Sequence, residues 1–374
     1  MFTILPQQLI EELLPNTLLG NTALVLLAMV CMAIVIRGAD WLVEGAAGLA
    51  YRMGMSKMVI GATILSIGTT SPEAAVSVLA AWSGNAGLAL GNGVGSIIVD
   101  TGLIFAIGCL CVRLPADGFV LKRQGMIKIG VAVALAGISY LMFFRAGEAA
   151  HLGRWVGVLL VSGLIIYLAA SIHWTRKHTR ESHRNSAGQG DPQSGQGGRI
   201  PEVADDSHIP EQRSVPMLLV LGVVGLALVV VSGDALVQTV SVGTARWGVP
   251  EVVVAATLVA FGTSLPELMV AITSIRKGHA ELMVGNVIGA DILNVLFVIG
   301  AAALASPLAL VEPGTPAPYI FLQLHLPVML AMLLLFLVGI LHAIRTGSFS
   351  RWLGLPLLLL YVGYIIAQFV LTTP

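Results

Sequence analysis

The chain has 374 residues, of which 56% are apolar and 11% are charged, and its mean hydropathy is +0.90. A soluble domain carries about 25% charged residues, so this composition indicates a polytopic helical membrane protein. Lys and Arg together number 20, as do Asp and Glu, and the net charge of zero argues against a nucleic-acid-binding protein. The three cysteines fall in apolar runs without metal-type spacing, which indicates core residues rather than a disulfide framework.

Apolar runs taken in chain order predict an all-α protein with ten transmembrane helices. Residues 1–16 are too short to cross a bilayer, and we predict an N-terminal interfacial segment there. Residues 17–173 and residues 215–374 each contain five runs. The polar residues 174–214 between them cannot bury a core, and we predict a linker there. The predicted spans lie near 18–36 (continuing as a helix towards 52), 58–82, 86–111, 125–144, 154–173, 216–238, 250–275, 281–305, 320–343 and 351–371.

Positive charges are unevenly distributed between the predicted loops. The loops after odd-numbered spans carry 16 Lys and Arg residues, Lys128 among them, whereas the loops after even-numbered spans carry three. Positive charge is enriched on the cytoplasmic side, so we predict a cytoplasmic linker and both termini outside. Because five is an odd number, the second half then enters the membrane in the opposite sense. Two inverted-topology five-helix repeats are typical of secondary transporters.

The second predicted span carries Glu73 near its centre, where a charge costs about 2.5–3.5 kcal/mol. Thr69 lies one turn before Glu73 and Ser77 one turn after it, on the same helix face. Pro72 has no N–H group, so we expect the carbonyl of Gly68 to lose its usual donor and the helix to loosen there. A row of oxygens with a carboxylate and no nearby positive charge suits a hard cation such as calcium or sodium.

The third predicted span adds a second polar row. Asn92, Ser96 and Asp100 are spaced four residues apart and therefore share a helix face. Together with the row around Glu73 they give the first half enough oxygen atoms to contribute to a cation site.

The polar stretch of the second span occurs again in the second half of the chain. Gly262–Glu267, Gly-Thr-Ser-Leu-Pro-Glu, repeats Gly68–Glu73, Gly-Thr-Thr-Ser-Pro-Glu, at a shift of 194 residues (267 minus 73). The same shift carries Ala62–Asp100 onto Ala256–Asn294 without a gap. A register held over that length indicates an internal duplication. It matches the third-span row with Asn286, Ala290 and Asn294, and Asp291 lies beside them.

These motifs resemble the alpha-repeats of the calcium/cation antiporter superfamily. The two Gly-Thr-x-x-Pro-Glu segments carry the resemblance, together with Gly91-Asn92-x-x-Gly95-Ser96 and Gly285-Asn286-x-x-Gly289-Ala290. The chain is most similar to the sodium/calcium exchanger branch, because the Gly-Asn-Ala-x-Glu signature of the proton-coupled branch is absent. The resemblance covers both repeats and the ten-span plan, and it implies a prokaryotic calcium/sodium antiporter rather than an enzyme.

The resemblance also implies a ligand set. Glu73 and Glu267 are expected to be the central calcium ligands, with Asp100 and Asn294 lining the central site and Ser96 binding sodium. Further oxygens for sodium and calcium are expected from Thr69, Thr70, Thr263 and Ser264, and from the backbones of Ser66 and Ala260. We expect Asp291, Asn92, Asn286 and Ser77 to support these ligands from behind.

The resemblance further implies calcium and sodium ions as substrates, no cofactor, the lipid bilayer as surroundings and no obligate protein partner. The expected location is a prokaryotic inner (plasma) membrane. Two departures from the family pattern stand out. Ala290 has no hydroxyl where the family usually has Ser, which would weaken one sodium site. Ile97 replaces a common Asn, while Asp291 takes that place in the second half.

Several alternatives remain open at the level of sequence. Asp100, Asn92 and Asn286 could instead join helices by hydrogen bonds, and Asp291 could be a ligand itself rather than a supporting residue. Paired acidic residues in membrane helices also occur in intramembrane aspartyl proteases, although the pair here is glutamate. A cation channel could use the same oxygens. Within transport, calcium exchange coupled to protons or dependent on potassium is the principal alternative to sodium coupling.

Overall fold

The computed structural model describes residues 7–53, 55–188, 214–246, 264–312 and 317–372. These residues are almost entirely helical, and nine of the helices are long and apolar enough to cross a membrane. The seventh predicted span, near 250–275, lies partly on residues 247–263, outside the described ranges; its end forms a helix at Leu265–Arg276. The prediction of an all-α polytopic membrane protein is confirmed.

The first half begins with a short helix, α1 (Gln7–Leu13), followed by five long helices. Ser56 caps the start of the second long helix, because its side chain accepts a hydrogen bond from the backbone of Val59, and Asn85 caps the third through Leu88. The long helices are α2 (Leu18–Met53), α3 (Lys57–Trp82), α4 (Ala86–Cys111), α5 (Gly118–Ala149) and α6 (Arg154–Gly188), with a two-residue strand β1 (His151–Leu152) before α6.

The second half follows the same order within its described residues. Its helices are α7 (Val215–Arg246), α8 (Leu265–Arg276), α9 (Ala280–Ala305), α10 (Phe321–Thr346) and α11 (Gly354–Thr372), with a strand β2 (Leu308–Ala309) after α9. Helices α4 and α9 are more deeply buried than the other spans, so they form the centre of the protein.

Two helix boundaries differ from the predicted spans. Helix α5 begins at Gly118 rather than near 125, because the Asp117 carboxylate accepts hydrogen bonds from the backbone N–H groups of Phe119 and Val120, at 2.8 and 3.3 Å. Lys128 therefore lies inside α5 and is buried, so counting it among the loop charges was wrong. Helix α6 continues to Gly188, into the segment assigned to the linker, and residues 189–213 lie outside the described ranges.

The helix boundaries repeat between the two halves. Helix α4 and its counterpart α9 begin, widen and end at positions that are 194 residues apart, including π-helical turns at Asp100–Phe105 and Asn294–Ile299. Later in each half the offset becomes 200 residues (326 minus 126): Met126–Ala146 within α5 corresponds to Leu326–Thr346 within α10. The duplication read from the motifs therefore extends to local backbone geometry.

Loops of the two halves pair reciprocally. The loop after α4 pairs with the loop after α10: Ala116 donates to Gly347 and Phe349 donates to Leu114. The loop after α5 pairs with the loop after α9 through the antiparallel strands β1 and β2. The loop after the third span of each half thus meets the loop after the fourth span of the other half. This pairing is expected when one half crosses the membrane in the opposite sense to the other.

Helices α2 and α7 pack along each other through glycine contacts. A Cβ atom at Gly225 would lie 2.5 Å from the backbone nitrogen of Leu42, and one at Gly45 would lie 2.8 Å from the carbonyl oxygen of Leu218. Only glycine permits backbones to approach this closely. The long helix pair α2 and α7 therefore packs through backbone contact rather than through large side chains.

Candidate cation-binding site

Helix α3 carries four of the predicted ligands on its buried face. Ser66, Thr69, Thr70 and Glu73 are all at most 1% exposed. Pro72 predicts a loosening of the helix at Gly68, but the structure shows regular α-helix there. The helix widens one turn earlier instead, at the π-helical turn Gly61–Leu65. Tyr167 of α6 donates a hydrogen bond to the backbone carbonyl of Ala62, within this π-helical turn, at 3.0 Å.

Asp100 and Asn294 occupy equivalent places in α4 and α9. Each is the first residue of its π-helical turn, near the middle of its helix, and each is 1% exposed. π-helical turns occur frequently at functional sites, because the widened backbone redirects side chains and frees carbonyl oxygens. Ser96 lies one turn before Asp100 and is also buried.

The two central glutamates meet inside the protein. Glu73 of α3 and Glu267 of α8 are 1% and 2% exposed, and their carboxyl groups are near enough to interact electrostatically. The carboxyl group of Asp100 interacts electrostatically with both of them. Acidic groups from both halves of the chain therefore converge, and their mutual repulsion favours a cation between them.

Many oxygens in this region have no hydrogen-bond donor. Within the described ranges, both carboxylate oxygens of Glu73 and both of Asp100 lack a partner. Buried polar atoms are normally paired, so a cluster of unpaired acceptors is suited to binding a cation. The other unpaired oxygens of the predicted ligands are Oγ1 of Thr70, Oγ of Ser264, Oε2 of Glu267 and Oδ1 of Asn294.

The chemistry of this set is mixed. Among the described residues, no three His, Cys, Asp or Glu side chains gather in the way that a tightly held metal requires. Hydroxyl, amide and carboxylate oxygens are interspersed instead, which suits a hard cation that must bind and then leave. Thr263 and Ala260 lie outside the described residues.

The asparagines of α4 and α9 contact the α3 ligand row. Asn286 accepts a hydrogen bond from the hydroxyl of Thr69 at 3.4 Å. Asn92 donates to the carbonyl oxygen of Glu73 at 3.1 Å and to the hydroxyl of Ser77 at 2.9 Å. Asn92 therefore joins α4 to α3 through Ser77 and through the backbone of Glu73, a predicted ligand.

Glycines allow α9 to cross α3 at the ligand row. A Cβ atom at Gly289 would lie 2.5 Å from both the carbonyl oxygen of Ala62 and the hydroxyl of Ser66. At Gly285 a Cβ atom would collide with the carbonyl oxygen of Met58. Helix α9 can therefore place Asn286 beside Thr69 only because these two positions have no side chain.

Asp291 has a partner that the sequence did not reveal. Its Oδ2 atom lies 2.7 Å from the ammonium group of Lys128 and accepts a hydrogen bond of 2.7 Å from Thr101. Its carboxyl group also interacts with that of Asp100. Asp291 therefore lies beside Asp100, a predicted ligand, and is paired with a buried positive charge of the protein itself.

Sequence reasoning missed Lys128, Thr101 and Tyr167. Lys128 follows a polar stretch, which is typical of a charge in a loop, and Thr101 lies outside the four-residue spacing of Asn92, Ser96 and Asp100. Tyr167 has no local signal, since its acceptor Ala62 is distant in the chain. The presence of Asp291 where the other half has Ile97 was a signal that a compensating charge was needed.

Comparisons with known proteins agree with this architecture. The family profile described as "Sodium/calcium exchanger protein" matches residues 23–173 and 217–370. A sodium/calcium exchanger of Methanosarcina acetivorans is 28% identical over 354 residues, covering 90% of this chain and 96% of the relative. The inner membrane protein YrbG of Escherichia coli is 29% identical over 276 residues, covering 74% of this chain and 78% of the relative.

Solved structures lead to the same family. The sodium-calcium exchanger NCX_Mj, soaked with Na⁺ and Sr²⁺, superimposes with a TM-score of 0.71 at 25% identity, and the match covers 93% of this chain and 99% of that one. The family profile matches more than half of the chain, in two segments that correspond to the two halves of the fold. The chain therefore belongs to the sodium/calcium exchanger family.

Proposed function

We propose that this protein is a secondary active antiporter that exchanges calcium for sodium and exports calcium by alternating access between two inverted halves. The observation that carries this proposal is the meeting of Glu73 and Glu267, one from each half, with carboxylate oxygens that lack donors among the described residues. Calcium offsets the repulsion between two carboxylates, and several sodium ions bound together do the same.

In this proposal Glu73 and Glu267 are the central calcium ligands, and Asp100 and Asn294 line the same cavity. Sodium and calcium share the remaining oxygens, so that the two ions compete and cannot both be carried in one direction. The shared oxygens are those of Ser66, Thr69, Thr70, Ser96, Ala260, Thr263 and Ser264.

Alternating access is supported by the reciprocal pairing of loops and by the matched π-helical turns of α4 and α9. Two halves related in this way can rock about a shared site and expose it to either side. A channel has no comparable need for two inverted half-sites.

Sodium as the coupling ion is supported by the names of the relatives, which describe sodium/calcium exchangers. The Escherichia coli relative is an inner membrane protein, and we place this protein in the inner membrane of a prokaryote. The charge asymmetry of the loops supports a topology with both termini outside and the linker in the cytoplasm. The family is one of transporters, which excludes the aspartyl protease.

Calcium flux in sealed proteoliposomes tests the function. The purified protein is reconstituted, and sodium, potassium and proton gradients are imposed separately while calcium movement is recorded. We expect a sodium gradient to drive calcium in the direction opposite to sodium, and we expect no calcium flux when only a potassium or a proton gradient is imposed. Calcium flux driven equally well by protons or potassium without sodium would contradict sodium coupling, and calcium leakage without any counter-ion would indicate a channel.

A further inference from the structure

A buried ammonium group lies beside the candidate site. Lys128 of α5 has a side chain with 0% exposure, and its Nζ atom lies 2.7 Å from Oδ2 of Asp291 and 2.9 Å from Oγ1 of Thr101. The same atom lies 3.7 Å from the centroid of the Phe336 ring. An ammonium group has three N–H donors, and a carboxylate, a hydroxyl and an aromatic face are available to receive them.

The ion pair is not required by the fold. In the other half, the position equivalent to Asp291 is Ile97, which lies in the apolar core, and the position equivalent to Lys128 is Val328, which packs against that core. The same two places in the repeated helices are therefore filled by apolar side chains without loss of structure. Burying an ion pair is costly compared with apolar residues of similar size, so the pair calls for a functional reason.

The pair is connected to the ion ligands. Thr101, which accepts a hydrogen bond from Lys128, directly follows Asp100 in the π-helical turn of α4. The carboxyl group of Asp100 interacts electrostatically with Lys128, Asp291 and Glu267. Four buried carboxylates, those of Glu73, Asp100, Glu267 and Asp291, thus share one fixed positive charge.

We propose that the ammonium group of Lys128 acts as a tethered monovalent cation, which neutralises Asp291 permanently and thereby sets how many free cations the carboxylates take up in each transport cycle. This inference rests on the proposed function, because it concerns the same ion site. Lys128 is a positioning residue in this scheme: it does not touch the transported ions, and it replaces one of them. Potassium is close to ammonium in size. Because the ammonium group of Lys128 already occupies this place, we expect calcium exchange by this protein not to require potassium.

Loss of Lys128 and loss of the Asp291 charge should have opposite effects on cation binding at the site. Without Lys128, the carboxylate of Asp291 and the hydroxyl of Thr101 face one another with no cation, and a free potassium, ammonium or sodium ion should take that place. Without the charge of Asp291, the ammonium of Lys128 repels the transported cations. Removing both leaves the total charge of the site unchanged.

The test uses the full chain in proteoliposomes with four proteins: wild type, Lys128→Met, Asp291→Asn, and the double variant Lys128→Val with Asp291→Ile, which reproduces the matched residues of the other half. Sodium-driven calcium flux is measured with potassium, ammonium or choline as the only other monovalent cation. The coupling ratio is measured from the membrane potential at which flux reverses. Lys128→Arg serves as the charge-conserving control.

We expect less than a twofold effect of potassium on wild type and on the double variant. In Lys128→Met, we expect at least a fivefold stimulation by potassium or ammonium, or a rise of the coupling ratio by about one sodium per calcium. In Asp291→Asn, we expect flux to fall at least fivefold with no stimulation by either ion. Lys128→Arg should retain the cation dependence of wild type.

A purely structural role predicts a different result. Lys128→Met would then lose activity equally with potassium, ammonium or choline, at an unchanged coupling ratio, and this outcome would overturn the inference. Potassium dependence of wild type would overturn it as well. If Lys128→Met fails to insert, Lys128→Gln takes its place, because it also removes the charge while keeping a long side chain: stimulation by potassium or ammonium supports the scheme, and equal loss with all three cations refutes it. Absence of sodium-driven flux in wild type would instead refute the proposed function.

Discussion

At the scale of single residues, charge distinguishes the candidate ligands more than shape does. Glu73 and Glu267 interact electrostatically although both are buried, and oxygens of both lack donors among the described residues. Two like charges in a low-dielectric interior repel each other strongly. Their arrangement therefore favours a bound cation, and in the proposed function this attraction offsets the cost of removing water from calcium.

Replacing either glutamate by glutamine tests this role. Glu73→Gln or Glu267→Gln keeps the size and one carbonyl oxygen but removes a charge worth about 3 kcal/mol at a few ångströms, which is roughly a 100-fold loss of calcium affinity. We expect calcium exchange to be lost while the protein remains inserted, as measured by calcium binding and flux. Glu11→Gln on exposed α1 is the matched control. Near-native flux in either variant would remove that glutamate from the central ligands.

Asp100 and Asn294 are equivalent positions with different charges. In the proposed site, three carboxylates, those of Glu73, Glu267 and Asp100, would face a divalent ion, and calcium alone would leave one charge uncompensated. Several sodium ions can neutralise all three. We therefore expect the charge of Asp100 to matter more for sodium coupling than for calcium binding.

A swap of the two positions tests this asymmetry. Asp100→Asn should weaken calcium binding less than about tenfold while reducing sodium-dependent calcium flux more strongly, because a lost sodium also removes the voltage contribution of about 2.3 kcal/mol per charge per 100 mV. The double variant Asp100→Asn with Asn294→Asp restores the charge and should recover part of the flux. If flux in the double variant equals that of the singles, the two positions are not equivalent across the two halves.

At the scale of elements, the site depends on helices whose backbones touch. Helix α9 crosses α3 through Gly285 and Gly289, opposite the π-helical turn Gly61–Leu65. The crossing places Asn286 against Thr69, so backbone distance and ligand position are linked. Tyr167 reinforces the same turn from α6.

A single methyl group at this crossing should have a large effect. Gly285→Ala places a Cβ atom against the backbone of Met58, and backbone cannot give way as a side chain can, so we expect a loss of at least about 1–3 kcal/mol of stability. The apparent melting temperature and calcium flux of the purified protein measure it. Gly137→Ala on α5, where a Cβ atom has no neighbour within 4 Å, is the control. Equal stability of the two variants would show that the crossing is not tight.

At the scale of the whole molecule, the two halves are joined by reciprocal loop pairs. The loop containing Leu114 and Ala116 meets Gly347 and Phe349, while β1 meets β2. Because α5 separates these two contacts, they should lie on opposite sides of the membrane. With Lys128 counted inside the protein, the charge asymmetry of the loops is still 15 against three.

Cysteine labelling tests both the inversion and its direction. In a background lacking Cys31, Cys109 and Cys111, we expect an impermeant thiol reagent on intact cells to label His151→Cys but not Arg113→Cys. Both residues are exposed, and each lies in one of the two loop pairs. Permeabilised cells should label both and serve as the control. Labelling of both from outside would contradict the inverted arrangement, and a reversed pattern would contradict only the placement of the termini.

The amino-acid sequence by itself determined the class of the protein, the positions of most membrane helices, the duplication and the two acidic motifs. These features are local: hydropathy adds up along a segment, and a repeated motif is visible without knowing what it contacts. The cost of burying Glu73 in an apolar run indicated a candidate functional residue before any contact was known. The family resemblance rested on the same local motifs.

Only the tertiary structure decided which distant groups meet. Lys128 and Asp291 are far apart in the chain, and a lysine after a polar stretch cannot be distinguished from a loop charge until the start of α5, set by Asp117, and its packing are known. The π-helical turns at Asp100 and Asn294, and the donation from Tyr167 to Ala62, likewise have no local signature. Ion pairs between helices, and hydrogen bonds from a side chain of one helix to a backbone carbonyl of another, depend on how the helices pack. Sequence patterns indicate only which face each helix buries.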